Sequence, residues 1–286
     1  MAQFDDHINR VSSYVADLRA QGRPTRTFAL PSSIEGLTFG LPIRLGPGAT
    51  PRIILRSETL VELGNPAAGS CAVVLWTDST ALVVDGRVTL IGPDIPQAHG
   101  ASLPFAQVLL VAGTNLSAEE HQAIAQAQYV ADQIEGYMVK GSSRNIWSRV
   151  SNGAAAKGFC FETLGTALMA LYKSTLPKVQ AMEIVFVTSS KEDVLRLSDL
   201  ATEVRDCGTE IIKEQWKAKG YDLDCDLDCR SCHDKKVCDD VRKITAARMR
   251  NGRGARSSSP LPLEQVTQLD SRSPLHPGED QDEMKG

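Results

Sequence analysis

Three short and almost continuous apolar runs constrain the fold of this chain more than any other feature of its sequence. They cover Ala72–Thr77, Gln107–Ala112 and Ala181–Thr188. A strand that is covered on both faces has no solvent-facing side, so its sequence stays apolar instead of alternating with polar residues. We therefore predict an α/β fold, in which helices pack on a mixed sheet that contains these runs as buried strands.

Helical patterns separate the runs. Apolar residues recur every three or four positions from Phe4 to Leu18, which predicts a short amphipathic helix ended by Gly22 and Pro24. Similar patterns predict helices over Ala118–Tyr137, Phe161–Ser174 and Ser189–Lys219. The first of these follows a capping box at Ser117 and should bury Ile124, Ala127, Val130, Ala131 and Ile134.

A hairpin is predicted around Asp85-Gly86. This dipeptide joins two runs that contain β-branched residues, Ala81–Val84 and Arg87–Ile91. Both central positions of the commonest two-residue hairpin turn need a positive φ, which the Asp-Gly pair tolerates well. We expect these two runs to be paired antiparallel strands.

Four segments follow from these patterns and from a change in composition. Residues 1–52 hold the first helix and an irregular connection, residues 53–220 the α/β domain, and residues 221–250 a cysteine-rich segment that binds a metal or a cluster. After residue 250, Gly, Ser, Pro and charged residues dominate. Such a composition buries too little apolar surface to offset the entropy lost on ordering, so residues 251–286 are predicted to be a disordered tail.

Charge and hydropathy exclude several classes of function. A net charge of −4 does not provide the basic surface that general nucleic-acid binding needs. The sequence has no apolar stretch of the about 18 residues that a membrane span requires, and its first residues do not have the pattern of a signal peptide. We therefore expect a cytoplasmic protein that binds neither nucleic acid nor a membrane.

Four of the seven cysteines lie within fourteen residues, at Cys225, Cys229, Cys232 and Cys238. Thiolates two or three residues apart can point at one centre, which is what a [4Fe–4S] cluster or a tetrahedral zinc ion requires. The spacing does not choose between the two, and His233 could replace one thiolate. Two surface disulfides are a further alternative, but they need an oxidising compartment. The first three cysteines also have the spacing of radical S-adenosylmethionine enzymes, but those place the motif before a barrel of roughly 200 residues or more.

A short basic segment, Lys140–Asn145, combines small residues with two cations. Backbone amides and cationic side chains of this kind can bind a phosphate. A solvated loop has the same composition, so the segment alone does not establish a site.

Several stretches occur in an order that a known family shares. The most specific are Asp85–Ile95 (DGRVTLIGPDI) and Arg144–Trp147 (RNIW). The others are Thr59–Gly64, Glu135–Tyr137, Arg149–Ser151, Ala156–Phe159 and Val185–Thr188. Over roughly residues 55–240 the chain therefore resembles the middle portion of the β subunit of the carbon monoxide dehydrogenase/acetyl-CoA synthase complex.

The resemblance implies an α/β middle domain and a role in one-carbon metabolism. The family makes acetyl-CoA from a methyl group, CO and coenzyme A, at a nickel centre bridged to a [4Fe–4S] cluster. Carbon monoxide dehydrogenase and corrinoid protein subunits are the partners that it implies. The family's coenzyme A contacts involve basic and aromatic groups of the middle domain, for which the best candidates here are Lys140, Arg144, Trp147 and Arg149. The alternative for these four residues is a basic surface loop anchored by one tryptophan.

The metal ligands of the family are matched only in part. Cys229 and Cys232 match its first cysteine pair, but Cys238 comes three residues early and Arg248 stands where the fourth cysteine is expected. Cys225 would have to replace that ligand. The family's Cys-Gly-Cys, which holds the distal nickel, is absent from the sequence, and nickel needs soft ligands in a fixed geometry.

The resemblance therefore implies an iron–sulfur accessory or degenerate subunit without nickel. The alternative, from a different class of function, is a zinc-binding module that fixes a loop for partner docking. The three isolated cysteines are expected to be buried as small apolar side chains; they are Cys71, Cys160 and Cys207.

Overall fold

The computed structural model describes residues 4–218 except for gaps at residues 47, 50–52, 99–101, 117–119, 121–122, 125 and 142–143. Beyond residue 218 it describes residues 236, 239–241 and 243–244. The chain divides into two compact units, residues 1–224 and residues 225–286. The four motif cysteines and the predicted tail at 251–286 lie outside the described residues.

Strands of the described part form two sheets. The strands are β1 (Thr25–Ala29), β2 (Thr59–Leu63), β3 (Ser70–Thr77), β4 (Arg87–Ile91), β5 (Ser102–Leu103), β6 (Phe105–Ala112), β7 (Tyr137–Gly141), β8 (Ile146–Ser151) and β9 (Ala181–Val187). The first sheet has the order β1-β4-β9-β6-β3. It is mixed, because β3–β6 and β4–β9 are parallel whereas β1–β4 and β6–β9 are antiparallel. The second sheet has the order β5-β2-β8-β7.

The described helices include α1 (Asp5–Ala20), α2 (Ile34–Thr38), α3 (Asn152–Ala156), α4 (Phe161–Thr175) and α5 (Lys191–Ala218). Short 3-10 helices cover Arg56–Glu58, Thr80–Leu82, Ile95–Ala98 and Ala127–Gln133. The predicted helices at 4–18, 161–174 and 189–219 correspond to α1, α4 and α5, and these three predictions are confirmed. No helix in the described part of the chain is both long enough and apolar enough to cross a lipid bilayer.

The core is densest around the apolar runs of the sequence. Every residue of β6 and β9 is buried, which confirms two of the three predicted buried strands. The third run, Ala72–Thr77, is a strand as predicted, but only alternate residues of β3 are buried, so its predicted burial holds for one face alone. Successive residues of β6 face opposite sides of the sheet. Phe105 and Leu109 belong to a core shared with α4, whereas Val108 and Leu110 belong to a second core shared with α1 and α5. The predicted α/β fold, with helices packed on a mixed sheet, is therefore confirmed.

The predicted hairpin at Asp85-Gly86 is wrong. Residues Thr80–Leu82 form a 3-10 helix rather than a strand, and the neighbours of β4 are β1 and β9. The turn itself exists, since Gly86 has a φ of 75°. Tertiary contacts determine the rest, because Asp85 accepts hydrogen bonds from Lys173 and from the Met182 amide.

The predicted helix from Ala118 to Tyr137 is also wrong in its second half. The backbone from Ala127 to Gln133 is a 3-10 helix, Gly136 has a φ of 72°, and β7 begins at Tyr137. The left-handed conformation of Gly136 ends the helical backbone, and the chain continues as β7 at the edge of the second sheet. The apolar positions were predicted correctly, since all five are buried; they are Ile124, Ala127, Val130, Ala131 and Ile134. Ser117 lies outside the described residues.

Candidate functional site

Two of the stretches that carry the family resemblance lie side by side. Lys157 Nζ donates to Glu135 Oε1 at 2.8 Å, and the Tyr137 ring stacks on Phe159 with 6.1 Å between centroids. Hydrogen bonds from Lys157 and from the backbone and side chain of Arg44 lower the pKa of Glu135 to about 2. These residues join the second sheet to the segment that precedes α4. We assign them to the scaffold.

The most specific stretch also has a structural role, through Asp94. Its Oδ1 accepts hydrogen bonds from the backbone amides of Ile95 at 2.8 Å and Phe161 at 3.0 Å, and its Oδ2 lies 3.0 Å from Arg26 Nη2. Phe161 is the first residue of α4, and the preceding Cys160 makes no side-chain capping hydrogen bond. Asp94 therefore caps α4 from a distant part of the chain.

The outer face of the second sheet carries three of the four residues predicted to bind coenzyme A. Lys140 on β7 lies opposite Trp147 on β8, and Arg149 on β8 lies opposite Glu62 on β2. The intervening residues of β8 are buried against the core; they are Ile146, Ser148 and Val150. Because side chains alternate along a strand, Trp147 and Arg149 face outward. We call Glu62, Lys140, Trp147 and Arg149 the Trp147 ledge.

The tryptophan of the ledge contacts two cations. Arg149 Cζ lies 4.8 Å and Lys140 Nζ 5.8 Å from the centroid of the Trp147 ring. Each cation is near enough for an attraction to the ring of about 0.5–1 kcal/mol at an exposed site. Lys140 is exposed, whereas Trp147 and Arg149 are half-buried. The ring therefore combines a fixed position with partial access to solvent.

Glu62 is the anion of the ledge and binds Arg149. The Nε and Nη2 atoms of Arg149 each lie 3.3 Å from Glu62 Oε1. Asn65 Nδ2 donates to Glu62 Oε2 at 2.8 Å. Hydrogen bonds from Asn65, and then from Trp147 and Arg149, hold the pKa of the Glu62 carboxyl below its ordinary value. Glu62 is therefore ionised at neutral pH and offsets the charge of Arg149.

Arg144, the fourth predicted residue, lies two residues before β8 and holds the strand by its backbone. Its carbonyl accepts the Ala72 amide at 2.8 Å, while the hydroxyl of Ser70 accepts the Ile146 amide at 2.8 Å. These bonds attach the start of β8 to the edge of the first sheet. Within the described residues, neither Arg144 nor Lys140 forms an ion pair, and Arg144 makes no hydrogen bond or ring contact with the ledge.

An apolar rim adjoins the ledge. The Ile54 amide donates to Met138 Sδ at 3.4 Å, and the Ile54 carbonyl accepts Arg149 Nη1 at 3.1 Å. The side chains on either side of Ile54 are exposed, by 67% for Ile53 and 57% for Leu55. The site thus offers an aromatic ring, cations and apolar surface together.

Sequence reasoning missed the roles of Glu62, Asn65 and Ile54. Glu62 belongs to a matched stretch, and it is the only charged residue of β2. That contrast could have marked it as the partner of a cation. Asn65 and Ile54 carry no comparable signal, because their contacts depend on how the loops fold over the sheet.

The structure describes three of the seven cysteines. Cys71 is buried as predicted, and burial raises the pKa of its thiol to about 12; Cys160 and Cys207 are only half-buried, so their predicted burial is wrong. The metal-ligand prediction for Cys225, Cys229, Cys232 and Cys238 concerns positions outside the described residues. Among the residues that are described, no three His, Cys, Asp or Glu side chains are placed to hold one metal ion.

Comparison with known proteins supplies the family. The family model of the CO dehydrogenase/acetyl-CoA synthase complex beta subunit matches residues 41–194, a stretch that contains the whole ledge and ends before the cysteine motif. Acetyl-CoA decarbonylase/synthase complex subunit beta 1 of Methanosarcina thermophila is 27% identical over 196 residues, which are 67% of this chain and 40% of the relative. Subunit beta of the same complex in Archaeoglobus fulgidus is 29% identical over 203 residues, which are 69% of this chain and 38% of the relative.

The chain thus spans about two fifths of the length of these curated relatives. The family model, by contrast, covers more than half of this chain. On that match, the protein belongs to the family of the CO dehydrogenase/acetyl-CoA synthase complex beta subunit.

Proposed function

We propose that this protein is an accessory subunit of one-carbon metabolism that binds coenzyme A on the Trp147 ledge. One observation carries the proposal. Other polar residues of the matched stretches, such as Glu135 and Asp94, are engaged in scaffold contacts, whereas Lys140 is exposed and Trp147 remains partly accessible. The ledge is therefore the part of the matched stretch that is best able to receive a ligand.

The chemistry of the ledge suits a nucleotide whose phosphates carry a long, partly apolar chain. A purine can stack on an indole, and cations beside the ring can bind the attached phosphates. Lys140 and Arg144 would supply that charge, since Arg149 is already paired with Glu62. The exposed side chains of Ile53 and Leu55 offer surface for the less polar part of the ligand.

Coenzyme A binding can be measured by calorimetry on the full chain. We expect K140A and R144A each to weaken binding by up to about tenfold, because each removes a cation near a phosphate. Arg205→Ala is the matched control, since Arg205 is an exposed arginine on α5 that pairs with Asp206, and it should leave the affinity unchanged. Equal effects of all three variants would indicate nonspecific attraction and would contradict the proposal.

We also propose that Cys225, Cys229, Cys232 and Cys238 hold one [4Fe–4S] cluster. The support is chemical, since four thiols within fourteen residues suit a cluster. Protein purified without oxygen should absorb broadly at about 400 nm, and C232A should remove this band together with the iron. Colourless protein with one zinc ion would instead favour the zinc-binding module.

We do not expect this protein to assemble acetyl-CoA by itself. The Cys-Gly-Cys that would hold a distal nickel in the family is absent from the sequence. Carbon monoxide dehydrogenase or corrinoid protein subunits would then supply the remaining chemistry, in the cytoplasm. An anaerobic assay of nickel-loaded protein with methylated corrinoid protein, CO and coenzyme A should give no more acetyl-CoA than a metal-only control.

A further inference from the structure

Arg149 is held in place before any ligand arrives. Two of its nitrogens lie 3.3 Å from the same Glu62 oxygen, and a third donates to the Ile54 carbonyl at 3.1 Å. Asn65 binds the other oxygen of Glu62 at 2.8 Å. The guanidinium is thereby fixed with its central carbon 4.8 Å from the centroid of the Trp147 ring. Glu62 thus determines both where the cation lies and how much of its charge is offset.

The arrangement has a consequence for what the ledge can recognise. A neutralised and stacked arginine supports an aromatic ring but attracts anions only weakly. Lys140, which lies 5.8 Å from the ring centroid on the other strand, has no comparable anion among the described residues. The ledge therefore combines a braced ring with limited positive charge, which favours ligands that carry a base over bare polyphosphates.

We propose that Glu62 is a positioning residue that sets the specificity of the ledge for a nucleotide base. It does so by accepting hydrogen bonds from both Arg149 and Trp147, which holds the guanidinium against the ring, and by withholding the charge of Arg149 from phosphates. This inference rests on the proposed function of the ledge as a coenzyme A site. A purely structural ion pair between β2 and β8 would have no such effect on selectivity.

The decisive variant is Glu62→Gln, which keeps the size of the side chain and removes its charge. It should release Arg149, which exposes the indole and adds a free cation to the site. Inorganic pyrophosphate should then bind up to about fivefold more tightly, as expected for one partly exposed charge. Coenzyme A should lose affinity relative to pyrophosphate, because the ring is no longer braced.

The position of the ring can be read without a ligand. The sequence has three tryptophans, so W76F and W216F leave Trp147 as the only one in the full-length chain. Quenching of its fluorescence by acrylamide should increase in E62Q and return toward the starting value in E62D, which restores the carboxylate. N65A, which frees the carboxylate without removing it, should change quenching in the same direction as E62Q. Glu203→Gln is the matched control, because Glu203 pairs with Arg10 in the contact between α5 and α1.

The two measurements together decide the inference. Greater quenching and tighter pyrophosphate binding in E62Q, both reversed in E62D, would support it. Any other result overturns it: greater quenching alone indicates a structural ion pair, and tighter pyrophosphate binding alone indicates a charge that does not position the ring. If E62Q does not fold, E62A, which also removes the carboxylate, is judged by the same two measurements. Wild-type protein that fails to bind coenzyme A would refute the proposed function but would leave this test intact.

Discussion

Replacing Asp94 should show how strongly one buried carboxylate joins distant parts of the chain. Asp94 accepts the amides of Ile95 and Phe161, which are both fully buried, and pairs with Arg26. D94A removes all three interactions and leaves no acceptor in their place. We expect a large loss of stability from this single change.

The magnitude follows from the partners. Leaving the Phe161 amide without the charged acceptor costs about 2 kcal/mol, and losing the local bond to Ile95 about 1 kcal/mol. The pair with Arg26 adds less than about 1 kcal/mol, because Arg26 is 45% exposed. D94A should therefore lower the free energy of unfolding by about 3 kcal/mol. D94N keeps an oxygen acceptor and should lower it by about 1 kcal/mol.

Urea unfolding followed by circular dichroism would measure both values. Glu162→Gln is the matched control, because Glu162 is an exposed acid in the first turn of the same helix, and it should change stability by less than about 0.5 kcal/mol. If D94A and D94N destabilised equally, the charge rather than the hydrogen bonds would be responsible. If D94A cost less than about 1 kcal/mol, the proposed capping of α4 would be refuted.

Further predictions concern the scaffold and the cluster. The pKa of Glu135 is lowered from 4.5 to about 2, so its pair with Lys157 should stabilise the fold fully above pH 4.5 and be lost as the pH falls through 2. The difference in stability between wild type and E135Q, measured from urea midpoints, should therefore disappear as the pH falls from 4.5 to 2. Gly136→Ala should destabilise by about 2 kcal/mol or more, since φ is 72° and the new Cβ would lie 2.3 Å from that of Ala154; an unchanged melting temperature would contradict this. Cys229→Ala should remove the iron measured in protein purified anaerobically, and unchanged iron would exclude Cys229 as a ligand.

The sequence predicts best those elements of the fold in which all residues are buried alike. In β6 and β9 every side chain is buried, so hydrophobicity alone marks them. The strands β7 and β8 form a surface sheet with half-exposed residues such as Trp147 and Arg149, and their pattern does not stand out from a loop. The failed hairpin has the same cause, because the turn at Gly86 is local whereas the partners of β4 are not.

The candidate site, like the fold, was predicted only in part from the sequence. The resemblance placed Lys140, Trp147 and Arg149 in one group, and the sheet register brings them together. It did not identify Glu62, because a carboxylate that neutralises an arginine is recognised only when β2 and β8 are aligned. Arg144 was grouped by its closeness in sequence, and among the described residues its contact is the backbone hydrogen bond with Ala72.

The position of β9 has a consequence for how the chain is made. In the order β1-β4-β9-β6-β3, only β9 hydrogen-bonds to both β4 and β6, and it is the last of these strands in the sequence. A ribosome that has released the first 180 residues has therefore produced two strand pairs that share no backbone hydrogen bond among the described residues. Their facing edges are apolar and unpaired until Ala181–Val187 emerges, which is the condition in which nascent chains aggregate or bind chaperones. Ribosome-bound chains halted before and after β9 should accordingly differ sharply in resistance to protease.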